Sequence, residues 1–354
     1  MKNILINPNV KIIYAMRRLS ETGERGLIVV DKTKRLLGSL TDGDIRRNIL
    51  KGYNLNSSIK KIYNKKPLYL IDDKFTEKNV RLIFNKKNID VIPILNKKRK
   101  FTRYLTRNNF FNSSKKIIII PDTSVVIMAG GKGLRLNPFT KILPKPLVPL
   151  NDKTIIEHII DKFVSFGIKN FTLTLNYKSK ILKSFFKELK NTNITIKFLE
   201  EKKPLGTAGS LKLLKNKLPN NFFVSNCDVL IKADYKEIYD FHKKNKNIVT
   251  IVASTKELKI PYGVCKINKK GLLSQIDEKP SYNFLVNTGL YVINSKSLKL
   301  IPSGKRFDVN ELINKIKKNK GRVGIFPINE KSWFDVGQWN EYEKTTKEIK
   351  LLDV

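Results

Sequence analysis

Residues Val125–Leu147 read VVIMAGGKGLRLNPFTKILPKPL. Four apolar residues, three of them β-branched, have the length and texture of a buried strand. Gly130, Gly131 and Gly133 follow at once, carrying Lys132 and Arg135. A glycine turn after a buried strand marks an α/β unit whose backbone can approach an anion. It is not a dinucleotide fingerprint, because the third glycine would fall at Leu136, nor a Walker loop, because Lys132 precedes Gly133 rather than Ser or Thr. Ten residues beyond Arg135, Pro144 and Pro146 flank Lys145 and fix the backbone around it. A lysine aimed in this way suits a phosphate chain with several charges.

Downstream, strand-like runs alternate with helical ones. FTLTLNY, ITIKFLE, NNFFVSNCDV, IVTIVAS and GLYVINS are strand-like, while residues 154–166 and 178–190 carry apolar residues at helical spacing. The alternation predicts an α/β fold with a mainly parallel mixed sheet covered by helices. Upstream the chain repeats itself. Residues 26–45 (GLIVVDKTKRLLGSLTDGDI) and 91–110 (VIPILNKKRKFTRYLTRNNF) align at an offset of 65, matching Asp31 to Asn96, Leu40 to Leu105 and Thr41 to Thr106. Each copy is a strand, a charged turn, a second strand and a helix start, preceded by a helical stretch. The copies are read as about 1–56 and 57–118, the junction as 112–124, and the second domain as 119–354.

The chain of 354 residues is long enough for two cores, and its 41% apolar content is that of a globular protein. Two cysteines and two histidines are too few and too scattered for a zinc site or a disulfide framework, which fits a cytoplasmic setting. The opening MKNILINPNVKIIY holds no signal-like apolar core, and the apolar run around Ile117 is broken by Pro121 and Asp122, so no membrane partner is expected. The net charge of +39 admits two readings. A basic surface attracts polyanions, yet only 13 of the 70 basic residues are Arg, the rest are Lys spread along the chain, and Asn and Ile are also abundant. That is the composition of an AT-rich coding sequence, and no nucleic-acid partner is expected. Affinity falling steeply with salt is the mark of the other reading.

The repeat resembles a tandem pair of cystathionine-β-synthase (CBS) domains, modules that bind adenosine nucleotides. The resemblance rests on Gly38-Ser39-Leu40-Thr41-Asp42-Gly43-Asp44 and covers residues 1 to about 112. It implies that Thr41 and Asp44 hold the ribose and phosphate of AMP or ATP, and that paired modules assemble a homo-oligomer. Thr41 and Asp44 also have the spacing of a helix capping box, and Asn109 replaces the aspartate in the second copy.

The glycine loop and the Pro-Lys-Pro-Leu segment resemble the signature of nucleoside-diphosphate-sugar pyrophosphorylases, the sugar-1-phosphate nucleotidyltransferases. Further segments follow in order over about 124–345: Leu205-Gly206-Thr207-Ala208-Gly209, Ser225-Asn226-Cys227-Asp228, Pro261-Tyr262-Gly263, Glu278-Lys279-Pro280, Val286-Asn287-Thr288-Gly289 and Trp333-Phe334-Asp335-Val336-Gly337. The resemblance implies a Rossmann-like, glycosyltransferase-A-like domain. It implies that Ala129, Gly130, Gly131, Lys132, Gly133, Gly206, Thr207 and Ala208 bind the nucleotide. Gly263, Glu278, Lys279, Asn287 and Thr288 would bind the sugar phosphate, and Asp228 and Asp335 magnesium, or else manganese. Arg135, Lys145 and Asp228 would be catalytic. Leu134 stands where the family often has Thr, and Cys227 where Gly is common.

The chemistry agrees with the composition. A sugar 1-phosphate has a second pKa near 6 and is already mostly dianionic at neutral pH, so no general base is needed. The obstacle is repulsion between two anions, and catalysis becomes positioning and charge neutralisation. The CBS-plus-transferase arrangement resembles the guanylyltransferases that make GDP-glucosamine in legionaminic acid synthesis. It implies GTP and glucosamine 1-phosphate, with Glu200 or Glu201 accepting from guanine. Mannose or heptose 1-phosphates, and UTP, CTP or dTTP, remain open, as does an adenosine-nucleotide sensor with an inactive transferase half.

Overall fold

A computed structural model describes residues 3–72, 75–86, 89–110, 119–189 and 193–348. The expected junction at 112–124 lies outside the described residues as far as 118. The chain forms two compact units: Met1–Lys116 with Thr255–Phe284, and Ile117–Ser254 with Leu285–Val354. The segment 255–284, read from the sequence as part of the transferase half, thus packs with the N-terminal repeat.

In the first unit the two copies match element by element. Strands Leu5–Ile6, Gly26–Val30 and Leu36–Thr41 form one three-stranded sheet, and Leu70–Ile71, Val91–Leu95 and Phe101–Thr106 form the other. Every strand of the second sheet starts 65 residues after its counterpart. In each, the short strand pairs parallel with the middle one, which pairs antiparallel with the third. Copies also meet at equivalent positions. Arg35 bridges Lys100, and a Cβ on Gly26 would stand 3.4 Å from Val91. Residues that meet their own counterparts lie on a local two-fold axis, so each copy covers the apolar face that the other cannot bury alone. The helix Ile12–Thr22 turns Ile12, Ala15, Met16 and Leu19 inward and leaves Arg17 on its other side.

Segment 255–284 is an arm. It leaves on the strand Val249–Lys259, forms an antiparallel hairpin from Val264–Ile267 and Leu273–Asp277, and returns on Ser281–Asn294. Ile260 N–H donates to Pro280 O at 3.0 Å and closes its neck.

The second unit is built on a seven-stranded sheet. From one edge the strands are Thr195–Glu200, Asn170–Leu175, Val125–Met128, Asn221–Asn226, Ser281–Asn294, Val249–Lys259 and Val323–Ile328. The first four are mutually parallel; Ser281–Asn294 runs antiparallel to Asn221–Asn226. Alternate side chains enter two cores, one per face: Val125, Ile127 and Phe223 join the first, Val126, Phe222 and Val224 the second. Helix Ile155–Val164 covers the first core and Val309–Lys318 the second. The first of these starts on a capping box between Thr154 and Glu157. The expected mainly parallel mixed sheet between helices is the architecture observed.

Candidate functional site

The glycine loop leaves the carboxyl end of Val125–Met128 beside the end of its parallel neighbour, where Asn226 pairs with Met128. Crevices beyond such strand ends are where open α/β sheets take ligands. Gly133 adopts φ 67°, and a Cβ there would stand 2.8 Å from the Cβ of Lys145. A side chain at 133 would therefore push the lysine away, which is the physical reason for glycine. Thr140 fastens the loop, donating to Gly133 O at 3.0 Å. Gly131 differs, since among the described residues nothing beyond its own chain neighbours lies within 4 Å of where its Cβ would be. Ala129 is buried, Gly130 lies against Asn176, and Lys132, Leu134 and Arg135 are exposed.

Lys145 is only 7% exposed and forms an ion pair with Asp228, itself 8% exposed. Burial makes this pair costly to break on one side only. Asp228 follows the strand Asn221–Asn226, and Asp335 closes the short strand Trp333–Asp335, which pairs antiparallel with Val229–Ile231. That ribbon sets Val229 opposite Asp335, and Val336 N–H donates to Asp228 O at 3.0 Å. Two aspartates 107 residues apart are thereby brought side by side. Gly337 lies at their centre. A Cβ on it would run into Asp228 Oδ2 and stand 3.0 Å from both Asp335 Oδ1 and Lys145 Nζ. Gly337 N–H donates to Asp335 Oδ1 at 2.9 Å. Sequence reasoning quoted Gly337 in its motif but gave it no role; nothing local distinguishes it from a turn glycine.

This cradle fits a hard divalent cation, with two carboxylates converging on a space free of side-chain carbon. Among the described residues no group of three or more His, Cys, Asp or Glu gathers to hold a metal. Phosphate oxygens and water would complete the shell, as is usual for magnesium. Cys227, next to Asp228, is buried, and burial pushes its thiol up to about 12; Cys265 is exposed.

The segment Gly206–Gly209 forms a helical turn, with Gly206 at φ 79°. A Cβ at Gly206 would stand 2.6 Å from Asp308 Oδ1, so no side chain fits. Asp308 accepts from Thr207 N–H at 2.9 Å, Ala208 and Gly209 N–H donate to Phe307 O, and Val309 N–H donates to Thr207 Oγ1 at 2.9 Å. Asp308 also forms a capping box with Glu311 at the start of Val309–Lys318. The capping box is visible in the sequence, but its second task is not. Of the two glutamates proposed for guanine, Glu200 pairs with Lys183 at 2.7 Å. Glu201 is half-buried, accepts from Leu205 N–H at 2.9 Å, and has its pKa raised chiefly by burial.

Asn287 donates to Tyr291 Oη at 2.8 Å, and the buried Thr288 donates to Val252 O at 2.8 Å. On the arm, described with the first unit, a Cβ on Gly263 would stand 3.0 Å from Glu278 Oε2. Glu278 and Lys279 are exposed, 4.0 Å apart, and Lys279 holds φ 45°, a conformation that costs a non-glycine residue energy. In the N-terminal repeat Thr41 caps the helix Asp42–Leu50. Thr41 Oγ1 donates to Asp44 Oδ2 at 2.6 Å, and Arg47 takes Asp44 Oδ1. Asp44 is thus engaged on both oxygens by its own helix.

No helix among the described residues is long and apolar enough to cross a membrane. The CBS domain family matches residues 1–51. A mannose-1-phosphate guanyltransferase of Yarrowia lipolytica is 35% identical over 228 residues, 61% of this chain and 61% of its own length. The mannose-1-phosphate guanyltransferase of Saccharomyces cerevisiae is 34% identical over 226 residues, 61% of this chain and 62% of its own. The chain thus spans about three fifths of the length of these curated relatives. Among solved structures, HddC from Yersinia pseudotuberculosis is 25% identical with a TM-score of 0.50, covering 64% of this chain and 99% of its own. A UDP-glucose pyrophosphorylase from Acinetobacter baumanii shares the fold at 19% identity and a TM-score of 0.50, over 65% of this chain and 94% of its own. The nucleotidyl transferase family matches residues 124–350, and the chain belongs to that family.

Proposed function

We propose that the chain transfers a guanylyl group from GTP to a hexose or amino-hexose 1-phosphate, forming a GDP-sugar and pyrophosphate. The convergence of Asp228, Asp335 and Lys145 on Gly337, beside the glycine loop, carries this reading. The relatives named mannose-1-phosphate guanyltransferases favour guanine. The tandem module favours glucosamine 1-phosphate over mannose 1-phosphate, on the resemblance described above.

Asp228 and Asp335 would hold magnesium, which when bound supplies positive charge to the phosphates. Lys145 exchanges Asp228 for the α-phosphate and neutralises it. The amides of Gly131 and Gly133 and the guanidinium of Arg135 receive the β- and γ-phosphates. Gly206, Thr207 and Ala208 seat the base, and Glu201 accepts from guanine. On the arm, Lys279 would hold the sugar phosphate and Glu278 a sugar hydroxyl, with Gly263 leaving room beside Glu278; Asn287 and Thr288 are the sugar-phosphate candidates of the second unit. A sugar-phosphate oxygen attacks the α-phosphorus in line, and the bond to the β-phosphate oxygen breaks. The electron pair leaves with pyrophosphate, so no proton need move. A nucleotide at Thr41 and Asp44 would displace Arg47 from Asp44, which makes AMP or ATP a candidate regulator.

The test is pyrophosphate release from five nucleoside triphosphates against glucosamine, mannose, glucose and heptose 1-phosphates at millimolar magnesium. GTP with one of these sugars should turn over fastest. No turnover with any pair overturns the catalytic reading, and a faster UTP, CTP or dTTP overturns the choice of base. For the N-terminal site, AMP or ATP should raise the melting temperature; no shift with either removes the regulator.

A further inference from the structure

Glu257 stands on the outgoing strand of the arm, two residues before its end, with a side chain only 14% exposed. Ser281, the first residue of the returning strand, donates to Glu257 Oε1 at 2.6 Å. The other oxygen is taken by Arg17 of the helix Ile12–Thr22. One carboxylate therefore ties together a helix of the first repeat copy and both strands that carry the arm. A second contact reinforces it: Asn283 Nδ2 donates to Asn56 Oδ1 at 3.2 Å. Lys259 is 4.0 Å from the same carboxylate, too far for a hydrogen bond, so Arg17 is its main cationic partner. A half-buried carboxylate with one strong charge-assisted partner is sensitive to losing it.

We propose that Arg17 is a positioning residue for the sugar-phosphate subsite. By gripping Glu257 at the neck, it sets the pose of the arm that carries Gly263, Glu278 and Lys279. The N-terminal repeat thereby tunes affinity for the sugar 1-phosphate and not for the nucleotide, whose proposed contacts are on other elements. The inference rests on the proposed function for the identity of the ligand, and on geometry alone for the link between Arg17 and the arm.

The experiment compares the full-length wild type with Arg17→Ala, Arg17→Lys and the charge-reversed pair Arg17→Glu with Glu257→Arg. Both KM values are measured, together with hydrogen exchange at the arm amides of residues 260–280. Loss of one charge-assisted bond should raise the sugar-phosphate KM about tenfold in Arg17→Ala. The GTP KM should stay at the wild-type value, the melting temperature should fall by a few degrees as Glu257 loses its partner, and arm exchange should accelerate. Arg17→Lys and the reversed pair should recover most of the loss. A sugar-phosphate KM unchanged in Arg17→Ala, or both KM values raised alike, overturns the proposal. If the wild type turns over no substrate pair, the proposed function fails and takes the sugar-phosphate assignment with it; arm exchange then still reports whether Arg17 holds the arm.

Discussion

Lys145 occupies, through its ion pair, the side of Asp228 that a cation would want. Lys145→Ala should therefore act twice. On the proposed function it removes a charge from the reacting phosphate, for a loss in kcat on the order of 1000-fold. It also leaves Asp228 buried and unpaired, at about 3 kcal/mol. Thermal unfolding should show this stability loss without magnesium and regain more of it on adding magnesium than the wild type does. Gly337→Ala plants a methyl group among Asp228, Asp335 and Lys145; on the proposed function kcat/KM should fall about 100-fold, as expected for displacement of reacting groups by an ångström. Calorimetry should also show a stability loss of about 1–3 kcal/mol, because the methyl group displaces a buried carboxylate from its ion pair. His242 gives a pH signature. It is 1% exposed, donates from Nε2 to Asn221 Oδ1 and accepts from Thr250 at Nδ1, an arrangement for the neutral ring. Burial lowers its pKa to about 4, below the ordinary 6.5. The unfolded state thus takes up the proton first as pH falls. Stability is full above 6.5 and declines towards 4, by up to about 3 kcal/mol. Denaturant titration across that window should show the decline, and His242→Gln should flatten it. That the aspartates and Lys145 should be considered together was legible because they stand in ordered motifs, and the structure brings them together. The role of Gly337 was not, because it depends on atoms more than 100 residues away in sequence.

At the scale of elements, the repeat offset of 65 and the strand–glycine turn were readable because they are local periodicities. Pairings between distant segments were not. The ribbon of Val229–Ile231 with Trp333–Asp335 joins two stretches that look like ordinary short strands, and with the bond from Val336 N–H to Asp228 O it sets the aspartates together. Asp308 shows the same limit. Its capping box can be read from the spacing to Glu311, but its bond to Thr207 N–H requires the fold. Asp308→Ala should cost about 1 kcal/mol as a lost cap. If Gly206–Gly209 seats the base, the same variant should also raise KM for GTP while leaving KM for the sugar phosphate unchanged. Steady-state kinetics with each substrate varied in turn checks this, and equal effects on both would separate the turn from the nucleotide.

At the scale of the whole molecule, the division of the chain was the least legible feature. Residues 255–284 belong by sequence to the stretch matched by the transferase family, yet they pack with the N-terminal repeat. Nothing in composition marks that exchange, because it is carried by a few contacts such as Arg17 with Glu257 and Asn56 with Asn283. The charge of +39 is a whole-molecule property too. If it is compositional drift, a gel shift with duplex DNA should show no complex even at low salt, where counterion release would most favour one. The two thiols differ as sharply as two identical groups can, Cys265 open to solvent and Cys227 buried beside Asp228. An aromatic disulfide reagent should consume one equivalent at mixing speed and the second only as fast as the crevice breathes. The slow phase is then a clock on local opening beside Asp228, readable without substrate, and if the proposed function holds it should lengthen on adding magnesium and GTP.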